Sequence, residues 1–241
     1  MDTVFRTWMT TRDTWGYQPD LCAFLQSEFL REQEQPHKYA GEVAICRDND
    51  DWQNAVQPEA VAVYGLYHLC REQSQRCLTI GNQRYWLLGY QWPNQESYKR
   101  RCADLVGLTE DGALVVFECK RGNRGCTPMA AILEGLDYLS CLTSKANFPR
   151  IQQKVSRWQQ QKREGLHSRF HDLELKRQNT HEVIVLADKS YFGNYIGRHE
   201  GQRGAGLRQF ARGAREFRGR LRLDFAVTDF NAPTANWLDV N

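Results

Sequence analysis

The sequence predicts an α/β fold, a mixed β-sheet covered by helices on both faces. Apolar residues recur at helical spacing in several segments, and short runs rich in Val, Leu and Phe read as buried strands. The two kinds of segment interleave in the order helix, three strands, helix, strand, helix, strand. Such an order needs crossovers as well as hairpins, and it places helices on both faces of the sheet.

Taken in order, residues 20–35 are expected to be helical, with Asp20 as N-cap and Leu21, Phe24, Leu25 and Phe29 at a spacing of 3.6. After a polar, acidic stretch at 47–51, Pro58 opens a second helix to about Glu72, with Val61, Tyr64, Leu66 and Leu69 on its apolar side. Segments 85–91, 103–108 and 113–120 read as strands. Thr127 and Pro128 start a helix in which Met129, Ile132, Leu133, Leu136 and Leu139 form the apolar stripe. Strands follow at 182–187 and 221–228, separated by a Gly-rich stretch and a helix near 206–218.

Composition narrows the class. The chain has 241 residues, 41% apolar and 25% charged, with a net charge of +3, the profile of an ordinary globular protein. No apolar run reaches the roughly 18 residues a membrane span needs. Asp2, Arg6 and Arg12 occupy the place of a signal peptide's apolar stretch. The eight cysteines contain no Cys-x-x-Cys pair and read as reduced thiols. The expected setting is the cytoplasm, the cell's own or that of a target cell reached without a signal peptide. His167 and His171 lie four apart, but amid so many Lys and Arg they read as a solvated face rather than a metal pair.

The small net charge hides two basic segments. Residues 145–180 and 198–222 each carry a net charge of +6, leaving −9 on the remainder. They suit a polyanion such as nucleic acid, or equally two solvated helical faces. In the helix near 206–218, Leu207, Phe210, Ala214 and Phe217 share one arc, and Arg208, Arg212 and Arg215 fall on a neighbouring one. That row is the expected contact with DNA phosphates.

The stretch 102–120 carries the chemistry. Two apolar strands meet at a turn, yet Asp104 sits near the end of one and Glu118 and Lys120 at the end of the other. Glu118 and Lys120 share a face because side chains alternate along a strand. Asp104 joins that face only if it lies opposite Glu118, so that paired residue numbers sum to 222. This requires a loop with an odd number of residues, and Glu110-Asp111-Gly112 supplies one, with Gly112 in the left-handed position. A two-residue turn would put the carboxylates on opposite faces. In the productive register, two carboxylates beside a lysine suit a hard divalent cation, Mg²⁺ above all.

Asp104 followed at a distance by Glu118-Cys119-Lys120 resembles the signature of the PD-(D/E)XK nuclease superfamily, with Ala103 in place of the proline. Glu134-Gly-Leu-Asp-Tyr138 is similar to the Gln-x-x-x-Tyr helix of RecB-type members, with Glu134 replacing the glutamine. The resemblance implies a restriction-endonuclease-like core, a central mixed sheet flanked by helices, over residues 55–241. A basic helical insertion at 145–180 and an N-terminal helical extension over 1–54 would be added to it. It implies a Mg²⁺-dependent deoxyribonuclease, with Mn²⁺ as substitute, leaving 5′-phosphate and 3′-hydroxyl ends. Asp104, Glu118, the Cys119 carbonyl and Glu59 (with Glu42 as runner-up) would hold metal, and Lys120 would position the attacking water. Glu134 and Tyr138 would line the site, and Arg121 and Arg124 would touch phosphates. Defence, repair and antibacterial toxicity all use such enzymes, and a homodimer or an immunity partner is compatible with them. The alternative is a catalytically silent nuclease fold that binds nucleic acid or protein.

Overall fold

The computed structural model describes residues 3–8, 21–35, 58–93, 102–122, 126–160, 168–196 and 203–239. Helix α1 (Val4–Trp8) and α2 (Leu21–Gln33) precede α3 (Pro58–Gln73), and then come β1 (Cys77–Ile80), β2 (Gln83–Pro93), β3 (Cys102–Leu108) and β4 (Leu114–Lys120). Next are α4 (Pro128–Thr143), α5 (Phe148–Gln160), a 3-10 turn (Ser168–Asp172) and β5 (His181–Ala187). Helices α6 (Lys189–Ile196) and α7 (Arg203–Glu216) lead to β6 (Leu221–Val227) and β7 (Thr234–Trp237). Every helix and strand expected from the sequence has a counterpart, although Asp20, the expected N-cap of α2, lies outside the described residues.

The architecture differs from the expectation. The strands run β1 to β7 in chain order and close into a barrel, not the open, helix-flanked sheet of a restriction-endonuclease-like core. Strands β1 to β4 are antiparallel, β4–β5–β6 parallel, and β6–β7 antiparallel. Closure comes from β1 and β7, which pair in parallel through Thr79↔Thr234 and Ile80↔Ala235. These two four-residue strands are the ones the sequence reading missed. Thr-Ala-Asn-Trp has no apolar run, and its alternation is too short to register as a period.

The two faces of the closed sheet have separate cores. One gathers around α3, where Val63, Leu66 and Tyr67 meet Leu78, Tyr85, Leu105, Phe117, Ile184 and Ala226. The other is covered by the remaining helices, with Leu133 and Leu136 of α4, Phe148 and Ile151 of α5 and Leu207 and Phe210 of α7 over Leu114, Val116, Val183 and Phe225. Phe5 of α1 and Leu25 and Phe29 of α2 join this core, and the Thr3 hydroxyl donates to buried Asp137 of α4 at 2.6 Å. Within the basic segment 145–180, Phe148, Ile151, Val155 and Trp158 are buried at helical spacing, so α5 is part of this core. Among the described residues no helix is long and apolar enough to cross a membrane, and seven cysteines are free thiols.

Helix α4 starts at Thr127, whose side chain caps Ala130 N–H, with Pro128 in the first turn. It lies so close to β5 that a Cβ on Gly135 would sit 2.4 Å from Val183 Cγ1. Glycine at 135 therefore sets the depth at which its neighbours Glu134 and Tyr138 reach the sheet. Gly135→Ala should lower stability by about 1–3 kcal/mol through overpacking, less about 1 kcal/mol regained as helix propensity. Denaturant titration should also show Val183→Ala destabilising the Gly135→Ala background less than the wild type.

Candidate active site

The β3–β4 hairpin has the odd-loop register. Leu105 pairs Phe117, Val106 pairs Val116 and Leu108 pairs Leu114, all summing to 222. Thr109 N–H donates to Ala113 C=O at 2.9 Å, and Gly112 sits at φ +81°. One further step places Asp104 opposite Glu118. There the backbone ladder stops, and the Asp104 carboxylate accepts the Cys119 N–H at 2.8 Å. A strand residue's N–H and C=O leave toward the same side, so the Cys119 carbonyl shares the edge that Asp104 occupies.

Lys120 is the hub. Its Nζ lies 2.6 Å from Glu118 Oε1, 3.6 Å from Glu134 Oε2 on α4 and 3.9 Å from Glu59 Oε1 on α3. The Tyr138 hydroxyl donates to Glu134 Oε1 at 3.4 Å. Asp104 lies within side-chain hydrogen-bond reach of Glu118. Glu118 and Lys120 are buried, whereas Asp104, Glu59 and Glu134 are partly exposed and form the open side of the cluster. The second Glu118 oxygen, Oε2, is buried and receives no hydrogen bond.

Four carboxyls thus surround one ammonium. Burial, and then the Asp104 charge, pushes the Glu118 carboxyl well above its ordinary range. Burial also raises Asp104, against the pull of Lys120 and the Cys119 N–H, and it raises Glu59. Burial opposes the Lys120 charge, but Glu118 and Asp104 outweigh it, so the amine holds its proton more tightly than a free lysine. Burial and the Glu118 and Glu134 charges raise the Tyr138 phenol.

Five of the expected residues (Asp104, Glu118, Lys120, Glu59 and Glu134) meet in this cluster, and Tyr138 reaches it through Glu134. Arg121 is exposed at the exit of β4. Arg124 and Glu42 lie outside the described residues, as does His167, while His171 sits in the 3-10 turn. On α7, Leu207, Phe210 and Ala214 are buried as the apolar arc requires. Arg212 is exposed and Arg208 and Arg215 are half-buried, with Arg215 bonded by Nε to Asp224 at 2.9 Å and by a second nitrogen to the Leu238 carbonyl at 2.8 Å. In the 145–180 segment, Lys145 and Arg177 share Glu34 and Arg169 pairs with Glu110, so two carboxylates from outside offset part of its charge, and Lys176 pairs with Glu174 inside the segment.

One neighbour of the site was missed from sequence. Asp188 follows β5, and its Oδ2 accepts the Gly122 N–H at 2.9 Å just past Lys120. The same signal that singled out Asp104, a charge at the end of an apolar strand, was there to be read.

Among the described residues, no three His, Cys, Asp or Glu side chains form a preassembled metal cluster. The donors gathered here are two carboxylates and a backbone carbonyl, with further carboxylates behind the lysine. No family model matches the chain, and no curated protein or solved structure is found to be similar to it.

The raised carboxyls set a pH dependence. A carboxyl whose pKa is higher folded than unfolded contributes stability fully below the ordinary carboxylate range, and that contribution is lost as pH rises through the folded value. The cluster should therefore make the protein less stable toward neutral pH. Thermal melts from pH 4.5 to 8 should show Glu118→Gln flattening this decline, and an unchanged slope would mean that Glu118 is ionised without cost.

Proposed function

We propose that the cluster is the active centre of a metal-dependent phosphodiesterase acting on DNA. The observation that carries this reading is the buried, unpartnered Oε2 of Glu118 beside the Asp104 carboxylate. Two anionic acceptors at such range need a proton or a cation between them, and an unpaired buried charge is costly. The donor set fits a hard cation. Asp104, Glu118 Oε2 and the Cys119 carbonyl are oxygen ligands of the kind Mg²⁺ or Mn²⁺ accepts, with Glu59 near enough to assist through water. Bound there, the ion would polarise a phosphoryl oxygen and acidify a water.

The protein's own groups supply the rest. Lys120 keeps its proton, so it acts as a donor: it orients the attacking water and offsets charge growing on the phosphoryl oxygens. Glu59, partly exposed and with a raised pKa, is placed to accept that water's proton. Tyr138 orients Glu134, which restrains the Lys120 ammonium from the α4 side. Arg121 stands at the solvent edge, where a phosphate backbone would approach. DNA is the partner class favoured by Arg121, Arg212 and the half-buried Arg208. The alternative, a catalytically silent module that binds nucleic acid or protein, has one observation in its favour: Lys120 and Glu118 Oε1 already pair directly at 2.6 Å.

Asp104→Asn separates the two readings. It removes a repelling charge from a buried cluster, so the melting temperature should hold or rise. Cleavage of plasmid DNA with Mg²⁺ or Mn²⁺ should fall by about a thousandfold, the scale of losing one preorganised electrostatic group. Wild-type cleavage should also disappear with chelator and return with added metal. Lys120→Ala tests less cleanly, since breaking a buried pair costs about 3–5 kcal/mol. Cleavage within tenfold of wild type in Asp104→Asn would exclude the assignment.

A further inference from the structure

We propose that Glu182 works as a proton-operated latch on the seam that closes the barrel. While its carboxyl holds a proton, contacts through Tyr85, Gln83 and Arg222 tie the β1–β2 hairpin to β6 and β7. Loss of that proton slackens the tie. The proposal is independent of the phosphodiesterase reading.

Glu182 stands at the start of β5, whereas Lys120 pairs with Ala187 at its end, so the latch lies away from the carboxylate cluster. The Tyr85 hydroxyl is 2.8 Å from Gln83 Oε1 and 3.0 Å from Glu182 Oε2. Arg222 Nη1 donates to the same Gln83 oxygen at 2.8 Å. A guanidinium accepts nothing, so that Gln83 atom is the amide oxygen and has no hydrogen to give Tyr85. Tyr85 itself has one hydroxyl hydrogen, which burial holds on the phenol, and two oxygens to serve. Both contacts are hydrogen bonds only when Glu182 Oε2 carries the second hydrogen. Glu182 then donates to Tyr85, and Tyr85 donates to Gln83.

The Arg222 guanidinium carries the tie across the seam. Its Nη2 donates to Asp224 Oδ2 at 3.2 Å, and its carbon lies 4.8 Å from the centre of the Trp237 ring on β7. Asp224 is fully buried and also held by Arg215, so this end of the tie is fixed. At the other end, Gln83 pairs with Ile80 across the turn that contains Gly81. The Gly81 N–H donates to the Ala235 carbonyl at 3.1 Å and the Thr79 N–H to the Pro233 carbonyl at 3.0 Å. When Glu182 ionises, the Tyr85 hydrogen turns to the carboxylate and Gln83 Oε1 faces a bare phenol oxygen. Glu182 Oε1, 3.6 Å from Arg222 Nη1, then draws the guanidinium off Gln83.

Glu182 faces Tyr85 on β2, Arg222 and Asp224 on β6 and Asp111 in the β3–β4 turn, with apolar Val115 beside it on β4. Burial, helped by Asp111 and Asp224, outweighs Arg222 and Tyr85 and brings the carboxyl up to about 6. The latch is therefore fully set below the ordinary glutamate range and is lost as pH rises through about 6.

The test follows the ¹³C shift of the Glu182 carboxyl and the amide exchange of Thr79 and Gly81 by NMR, from about pH 5 to 7.5. Protection of both amides, corrected for intrinsic exchange, should fall by up to about thirtyfold with the midpoint of the carboxyl. Glu182→Gln keeps a donor toward Tyr85 but cannot titrate, so its protection should stay at the acid value throughout. In Gln83→Ala, at an exposed position, the carboxyl should still titrate while protection of the seam no longer follows it. A Glu182 carboxyl that titrates in the ordinary glutamate range would overturn the proposal, as would a wild-type pH profile in Glu182→Gln. A wild-type profile in Gln83→Ala would also overturn it, because the acid would then be acting on the barrel as a whole.

Discussion

The three-residue turn at 110–112 constrains everything at the site. Its odd length sets the β3–β4 register, and the register puts Asp104 on the face that carries Glu118 and Lys120. The turn is itself held from outside. Lys176 N–H donates to the Gly112 carbonyl at 3.2 Å, and the Asn179 side chain to the Asp111 carbonyl at 2.6 Å. A Cβ on Gly112 would fall 2.1 Å from the Glu174 carbonyl, so the approach of that segment and the positive φ both demand glycine. At the first residue of β4, the buried His181 ring accepts the Leu114 N–H at 3.0 Å on Nδ1 and makes a second bond from Nε2 to the Arg177 carbonyl. Burial lowers the His181 pKa to about 4, which keeps the ring neutral and its acceptor nitrogen available. A slip of one residue would break these contacts and send Asp104 to the α3 face.

The site was more legible than the fold because its signals are local. Parity of a loop, alternation along a strand and charge at the end of an apolar run can be read within the twenty residues around a hairpin. Gly112, Asp104, Glu118 and Lys120 were found that way, whereas Glu134 came only from its resemblance to a family's motif. Closure of the barrel depends instead on pairing between β1 and β7, which lie at opposite ends of the sheet's chain order. Neither strand has a pattern of its own, and nothing local states which sheet edges meet. The arginine row on α7 shows a related limit. Helical spacing placed Arg215 beside Arg208 and Arg212, but the buried Asp224 that claims its guanidinium belongs to β6.

The electrostatics of the cluster follow from where it is built. Glu118 and Lys120 lie on a strand hemmed in by β3, β5 and two helices, so neither can turn to water as an edge residue would. Their charges must be answered by neighbours. Lys120 answers Glu118 Oε1, while Glu134 and Glu59 converge on the lysine from α4 and α3. Two helices from opposite faces of the sheet thus contribute to one charge balance at its end, and anything that shifts either helix also shifts the lysine.

The parallel seam between β1 and β7 has a kinetic side. Its partners are among the first and last strands of the barrel to be synthesised, with β2 to β6 made between them. Until β7 arrives, β1 offers an unpaired edge next to a hydrophobic interior, the arrangement through which partly folded chains associate. Contacts this distant in sequence form slowly. Once the seam closes, Trp237 lies against Gly81 at the turn that follows β1 and covers that edge. The hazard of aggregation therefore falls on the growing and refolding chain rather than on the finished protein, and it lasts as long as the wait for four residues.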